Sequence, residues 1–221
     1  MSDVARAFSE IEVRLHEGWA EVRLDRVHKR NALSWSLAGQ LVDALGSVAA
    51  SGREVAVLAA NGPIFCAGGD LEDQRAGRPA PVSEVVQGLA EAPLFLIARV
   101  DGAVYGGGIA LLAPCPVVLC APGVEFALPA AGLVGRFPSG FFPYLEGLIP
   151  ARVLLDAGVR GTPISATQAA AFGLVTSVLA PAELDAEVAR WVQVALDRPS
   201  VCAEARTYWR DRVRSRLAPD G

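Results

Sequence analysis

Phe65-Cys66-Ala67-Gly68-Gly69-Asp70-Leu71 and, further along, Asp101-Gly102-Ala103-Val104-Tyr105-Gly106-Gly107-Gly108 are the two glycine-rich segments around which the rest of the chain is organised. Each follows an apolar, strand-like run, Glu54 to Ala59 before the first and Leu94 to Val100 before the second. Each contains consecutive glycines, where the missing Cβ lets another atom approach the N–H closely. Two such N–H groups aimed at one point make an oxyanion hole, which stabilises negative charge growing on a carbonyl oxygen. Taken singly, a triple glycine also reads as tight helix–strand packing, and a Cys-Ala-Gly-Gly loop as a turn.

Outward from these stretches, strands and helices alternate. Ile11 to Leu15 and Ala20 to Leu24 alternate apolar and polar residues around His16-Glu17-Gly18, a hairpin pattern. Ser34 caps a helix to about Ala50 whose apolar face is Leu37, Leu41, Ala44, Leu45 and Val48. Pro79-Ala80-Pro81 is a short linker before a helix over Val82 to Ala90. Gly108 to Ala113 reads as a short apolar helix, Val117 to Ala121 as a strand and Val124 to Leu128 as a further short one. Beyond Pro129 the pattern turns helical. Pro150 opens one helix, Ser165 caps another that Gly173 ends, Leu174 to Leu179 is a last strand, Pro181 opens a helix to about Leu196, and Ser200 caps a final one. The expectation is an α/β fold of stacked units followed by a helical region, with ligands gathering at the carboxyl ends of the strands, where both glycine stretches fall.

Composition narrows the function classes. The chain has 221 residues, 52% hydrophobic and 20% charged, which suits a sizeable core rather than disorder. A formal net charge of −4 speaks against a nucleic-acid partner. The arginines between Arg206 and Arg216 read as a solvated helix face. Cys66, Cys115, Cys120 and Cys202 show no metal-ligand spacing, so no metal site is expected. Cys66 reads as a small residue in a tight loop rather than a nucleophile. No signal-like segment or membrane-spanning run is visible, which sets a cytoplasmic location and no membrane partner as the expectation.

Order and spacing of five motifs carry a resemblance. Arg26-Val27-His28-Lys29-Arg30-Asn31-Ala32-Leu33 resembles the "P-x-x-x-N-A-L" turn of the crotonase (enoyl-CoA hydratase/isomerase) superfamily. Phe65 to Leu71 resembles its "F-x-A-G-x-D-L" loop, and Val100 to Gly108 its "V-x-G-x-x-x-G-G-G" turn. Phe126 to Pro129 resembles its "F-x-x-P-E" segment, and Gly161 to Val175 its "G-x-x-x-x-A-x-x-A-x-x-x-G-L-V" stretch. The resemblance implies a spiral of ββα units over residues 1–180 with a C-terminal helical segment over 181–221, shortened relative to the family. It implies a homo-oligomer, trimer or hexamer. The ligand would be an acyl-CoA or an acyl-carrier-protein thioester, with coenzyme A or phosphopantetheine as part of the substrate and no separate cofactor. It makes Gly69 and Gly107 the oxyanion donors. It brings Lys29, Arg30 and Ala32 along the CoA, and sets Ala67, Asp70 and Leu71 beside the acyl–pantetheine junction.

Two positions depart from the pattern. The family's hydratases carry one glutamate three residues after the central glycine, here Ala110, and another directly after the "F-x-x-P" proline, here Ala130. Alanine can neither position water nor carry a proton. Decarboxylation needs no base, because loss of CO2 itself leaves the electrons on the enolate. That reaction, a specialised dehydration or isomerisation of secondary metabolism, and thioester hydrolysis all stay open. So does a non-catalytic homologue acting as an accessory or partner-binding subunit, with a pathway protein as partner. Candidate side chains for the missing chemistry are Tyr105, Arg136, Ser139 and Tyr144. The shortened end leaves the acyl pocket either more open or completed by a neighbouring subunit.

Overall fold

The computed structural model describes residues 8–128 and 142–217. A hairpin of β1 (Ile11–Leu15) and β2 (Trp19–Leu24) opens the chain, with Ile11 paired to Leu24 and Leu15 to Ala20. A single-turn 3₁₀ helix (Val27–Lys29) leads to α1 (Trp35–Ala50), whose N-terminus Ser34 caps by accepting from the Leu37 amide at 3.1 Å. The buried face of α1 is Leu37, Ala38, Leu41, Ala44, Leu45 and Val48.

Three consecutive strand pairs follow. In the first, β3 (Val55–Ala60) is followed by β4 (Ile64–Cys66). In the second, β5 (Phe95–Val100) is followed by β6 (Ala103–Tyr105), and in the third β7 (Val117–Cys120) is followed by β8 (Glu125–Ala127). The first member of each pair joins a six-stranded sheet in the order β1-β2-β3-β5-β7-β10, parallel after the opening hairpin. The second member joins a four-stranded sheet, β4-β6-β8-β9. Every residue of β3 is buried, as suits a central parallel strand covered on both faces. Strands β4 and β6, three residues each, are too short to show a period, and the sequence places both inside loops. What forms them is the stacking of successive turns. A methyl group on Gly102 would lie 2.6 Å from the Pro63 carbonyl oxygen and 2.8 Å from the Phe65 nitrogen, so one turn rests on the next backbone to backbone.

Helices close the layers. They are α2 (Leu71–Arg75), which the sequence did not signal, α3 (Val82–Glu91), α4 (Gly107–Ala110), α5 (Phe142–Leu145) and α6 (Ala151–Arg160). The two-residue β9 (Ile164–Ser165) leads into α7 (Ala166–Phe172), which opens with a reciprocal Ser165–Gln168 capping box and ends on Gly173 at φ 92°. The expected strand over Leu174 to Leu179 contracts to β10 (Ser177–Val178), paired with β7. The expected helix over Gly108 to Ala113 starts one residue earlier and leaves the helical state after Ala110.

The chain ends with α8 (Pro181–Asp197) and α9 (Pro199–Leu217). Helix α8 lies against β3, β5 and β7, and α9 against α3, α5 and α8. Trp209 anchors α9 by donating from Nε1 to the Ala113 carbonyl at 2.8 Å, just past the triple glycine, while Val213 is buried beneath it.

Candidate active site

The early turn, the first glycine loop and the triple glycine meet at the carboxyl ends of β3 and β5. Asn31, wholly buried at φ 53°, ties the early turn down. Its Oδ1 accepts from the Arg26 amide at 2.8 Å, and its Nδ2 donates to the carbonyls of Asn61 (2.9 Å) and Ile64 (2.8 Å). Asparagine suits this position because its short amide tolerates left-handed backbone and serves both donor and acceptor needs.

The turn then runs beside the glycine loop. The Ala67 amide donates to the Arg30 carbonyl at 3.1 Å, the Leu33 amide to the Gly68 carbonyl at 2.7 Å, and the Asp70 amide to the Leu33 carbonyl at 3.1 Å. Leu33 and Gly69 thus form a parallel bridge. In such a bridge the hydrogen bonds go to the residues on either side of Gly69, so the Gly69 N–H faces the opposite edge. Gly68 sits at φ 83°, where a side chain is strained, and a methyl there would lie 2.9 Å from the Tyr105 carbonyl oxygen. The two glycine loops are therefore in direct contact.

At the second loop Gly106 adopts φ 53° and ψ −126°, and its amide donates to the Ala127 carbonyl at 2.8 Å. Gly107 becomes the first residue of α4, where an N–H has no acceptor within the helix. Among the described residues, neither the Gly69 nor the Gly107 amide donates to a protein acceptor. Gly108 has a different task, since a methyl there would meet Cys66 Cβ at 2.7 Å and Sγ at 2.9 Å. Burial pushes the Cys66 thiol up to about 12, against the opposing pull of the Gly68 amide, so Cys66 stays protonated and packs. Ala110 is wholly buried on α4, and the corresponding Ala130 lies outside the described residues.

The substrate-side residues divide. Ala32 and Ala67 are half-buried along the paired turn, and Leu71 stands 64% exposed at the start of α2. Arg30 is exposed at φ 53°, whereas Lys29 is held by Glu72. Asp70 faces inward. Its Oδ1 caps α2 by accepting from the amides of Glu72 (2.7 Å) and Asp73 (3.1 Å), and its Oδ2 accepts from Arg26 Nη1 at 2.6 Å. Burial works to raise the Asp70 pKa, but the Arg26 hydrogen bond, the two amides and the Arg26 charge outweigh it and hold the carboxyl below its usual range. Both oxygens are thus spent on the protein's own groups, so Asp70 shapes the loop through its carboxylate. Arg26, which the sequence marks only as part of a turn, is 8% exposed. It also donates to the Ala32 carbonyl at 3.2 Å and lies 2.6 Å from Glu10. An arginine ahead of Asn-Ala-Leu and an aspartate after Gly-Gly were the only sequence signals of that pairing.

Of the remaining candidates, Tyr105 is half-buried at the end of β6 and Tyr144 is buried in α5, which packs against α4. Arg136 and Ser139 lie outside the described residues. Glu125, His16 and His28 are exposed, and His16 stacks on Trp19 with ring centroids 4.0 Å apart.

Comparison with known proteins bears on this arrangement. Residues 14–218 match the family model described as enoyl-CoA hydratase/isomerase. The human enoyl-CoA hydratase domain-containing protein 3, described as mitochondrial, is 31% identical over 205 residues, covering 88% of this chain and 67% of that protein. Its crystal structure superposes with a TM-score of 0.82 at 28% identity over 90% of this chain and 83% of the other. An enoyl-CoA hydratase from Mycobacterium smegmatis superposes with the same score, 0.82, at 28% identity, covering 94% and 88%. The chain spans about two thirds of the length of the human relative. With the paired strands, the contacting glycine loops and a match over most of its length, this chain belongs to the enoyl-CoA hydratase/isomerase family of the crotonase superfamily.

Proposed function

We propose that this protein acts on acyl-CoA or acyl-carrier-protein thioesters, holding the acyl oxygen between the amides of Gly69 and Gly107 and stabilising the thioester enolate there. The observation that carries the reading is that these two N–H groups, on loops in direct contact, have no protein acceptor among the described residues. Pre-aimed donors of this kind contribute about 3 kcal/mol each when water is excluded.

The chemistry runs without the paired carboxylates. Ala110 is wholly buried, and no water-activating group can come from it. Decarboxylation suits such a site best: the C–C bond supplies the electrons, two amides receive the charge, and only a later proton is required. A second reading, a thioester-binding homologue without turnover, is favoured by the same buried alanine.

A panel of acyl-CoA esters, assayed by mass spectrometry for CO2 loss, water gain and free CoA, separates the two. Turnover that collapses in Gly107→Pro, which removes one donor N–H at a helix position that tolerates proline, supports the enzyme reading. Binding of esters with no turnover supports the second. Turnover unchanged in Gly107→Pro overturns the assignment of the amides.

A further inference from the structure

We infer that Gln74 contacts the substrate and reads a carboxylate on its α-carbon, so that the thioester taken here is a 2-carboxyacyl ester of the malonyl type. The inference rests on the assignment of the Gly69 and Gly107 amides to the acyl oxygen. Its starting point is the face of Gly69. A methyl group on that residue would lie 2.6 Å from Gln74 Nε2 and 2.8 Å from Ala80 Cβ, so the carboxamide lies across the Gly69 Cα.

The side chain is free to bind. Gln74 is exposed, and its carboxamide has no hydrogen-bond partner among the described residues. The acidic groups around it are all engaged: Asp70 by Arg26 and the α2 amides, Glu72 by Lys29, Asp73 by Arg78. Asp73 also accepts from the Trp35 amide at 3.0 Å, and the Gln74 amide donates to the Asp70 carbonyl at 3.1 Å. Helix α2 is therefore pinned at its start and on its inner side, and it presents Gln74 over the loop.

Chemistry selects the ligand. In a 2-carboxyacyl thioester the carboxylate and the thioester carbonyl hang from the same α-carbon. An acyl oxygen seated on the Gly69 N–H then brings the carboxylate beside the group covering Gly69. A carboxamide can donate to that carboxylate and fix the C–C bond out of the thioester plane. Being neutral, it does not hold the ionised ground state as a cation would, which leaves the stabilisation to the transition state. In the step, the bond between the α-carbon and the carboxyl carbon breaks and CO2 leaves. The electron pair becomes the enolate, with its charge on the acyl oxygen, and water supplies the proton to the α-carbon. Gln74 is neutral before and after.

The test compares binding of malonyl-CoA and acetyl-CoA by equilibrium dialysis with mass detection of both esters, for the full chain and for Gln74→Glu and Gln74→Leu. The expected result is a preference for malonyl-CoA in the parent. Gln74→Glu should lose it by tenfold or more, about what a hydrogen bond to a charged group contributes, while acetyl-CoA binding changes by no more than about twofold. Gln74→Leu checks the loss without a new charge. If acetyl-CoA binds and neither variant alters the malonyl-to-acetyl ratio, or the parent shows no malonyl preference, the inference falls and the thioester reading stands. If the parent binds neither ester, both fall.

Discussion

Arg26 Nη1 and Asp70 Oδ2 meet at 2.6 Å with both side chains less than a tenth exposed, joining the early turn to the glycine loop. The same carboxylate caps α2 and the same guanidinium holds the Ala32 carbonyl, so one ion pair sets both edges of the loop that carries Gly69.

Removing one partner of such a pair leaves a buried charge. Asp70→Ala should therefore cost about 3–5 kcal/mol of stability, and Asp70→Asn, which keeps a capping acceptor, should cost less. Urea unfolding of the two variants checks the order, and equal losses would refute it.

Acid should act through the same carboxyl. Its folded-state pKa is depressed relative to the unfolded chain, so its contribution is fully present above the unfolded value of about 4 and is lost as pH falls through the folded value. Unfolding free energy of the parent should decline on going from pH 5 to pH 3, and Asp70→Asn should flatten part of that slope. A slope unchanged in Asp70→Asn would assign acid sensitivity to other groups.

Gly68 and Gly77 form an internal control. Both adopt positive φ, 83° and 76°, but a methyl on Gly68 meets the Tyr105 carbonyl whereas one on Gly77 meets nothing within 4 Å. Each alanine substitution carries a left-handed penalty of about 1–2 kcal/mol. Gly68→Ala should exceed Gly77→Ala by a further 1–3 kcal/mol, roughly the cost of overpacking, and should also weaken acyl-CoA binding. Thermal melts and titration with acetyl-CoA give the comparison.

Thiol chemistry should follow burial. Cys66, Cys115 and Cys120 are buried with their thiols pushed up to about 12, and Cys202 is half-buried, its thiol raised by burial against the opposing charge of Arg198. Alkylation of the folded protein at pH 8 should label Cys202 first and the other three only on unfolding, as peptide mass mapping will show. Early labelling of Cys66 would mean that the glycine loops open.

Asn31→Ala removes three hydrogen bonds and leaves buried backbone groups unpaired, at about 2–4 kcal/mol. Asn31→Asp keeps the acceptor toward Arg26 and loses both donated bonds. It also sets a buried carboxylate oxygen against the Asn61 and Ile64 carbonyls, so its loss should be at least as large as alanine's, and a smaller loss in urea unfolding would refute that repulsion.

Much of the large sheet was legible because β3 and β7 are unbroken apolar runs and β5 is one interrupted only by Arg99, and α1 and α7 carry their caps in Ser34 and Ser165. Of the smaller sheet, β8 falls within the expected strand over Val124 to Leu128, but β4 and β6 were not legible, since three residues cannot display alternation and Gly102 signals only a turn until Pro63 is seen packed on it. Helix α2 is not legible because five residues give no period, and Asp70, its cap, falls inside the glycine-loop motif.

From its residues alone, the chain specified the longer strands and helices and where two unguarded glycine backbones would fall, because those properties depend on neighbours along the chain. Only the fold in three dimensions decided that the Leu33 bridge turns the Gly69 amide away from the early turn. It alone decided that Gly108 serves Cys66 rather than a ligand, that Asp70 answers to Arg26, and that Gln74 covers Gly69. Each of these is a contact between residues distant in sequence, settled by which turns stack and by which charges cannot stay unpaired once buried.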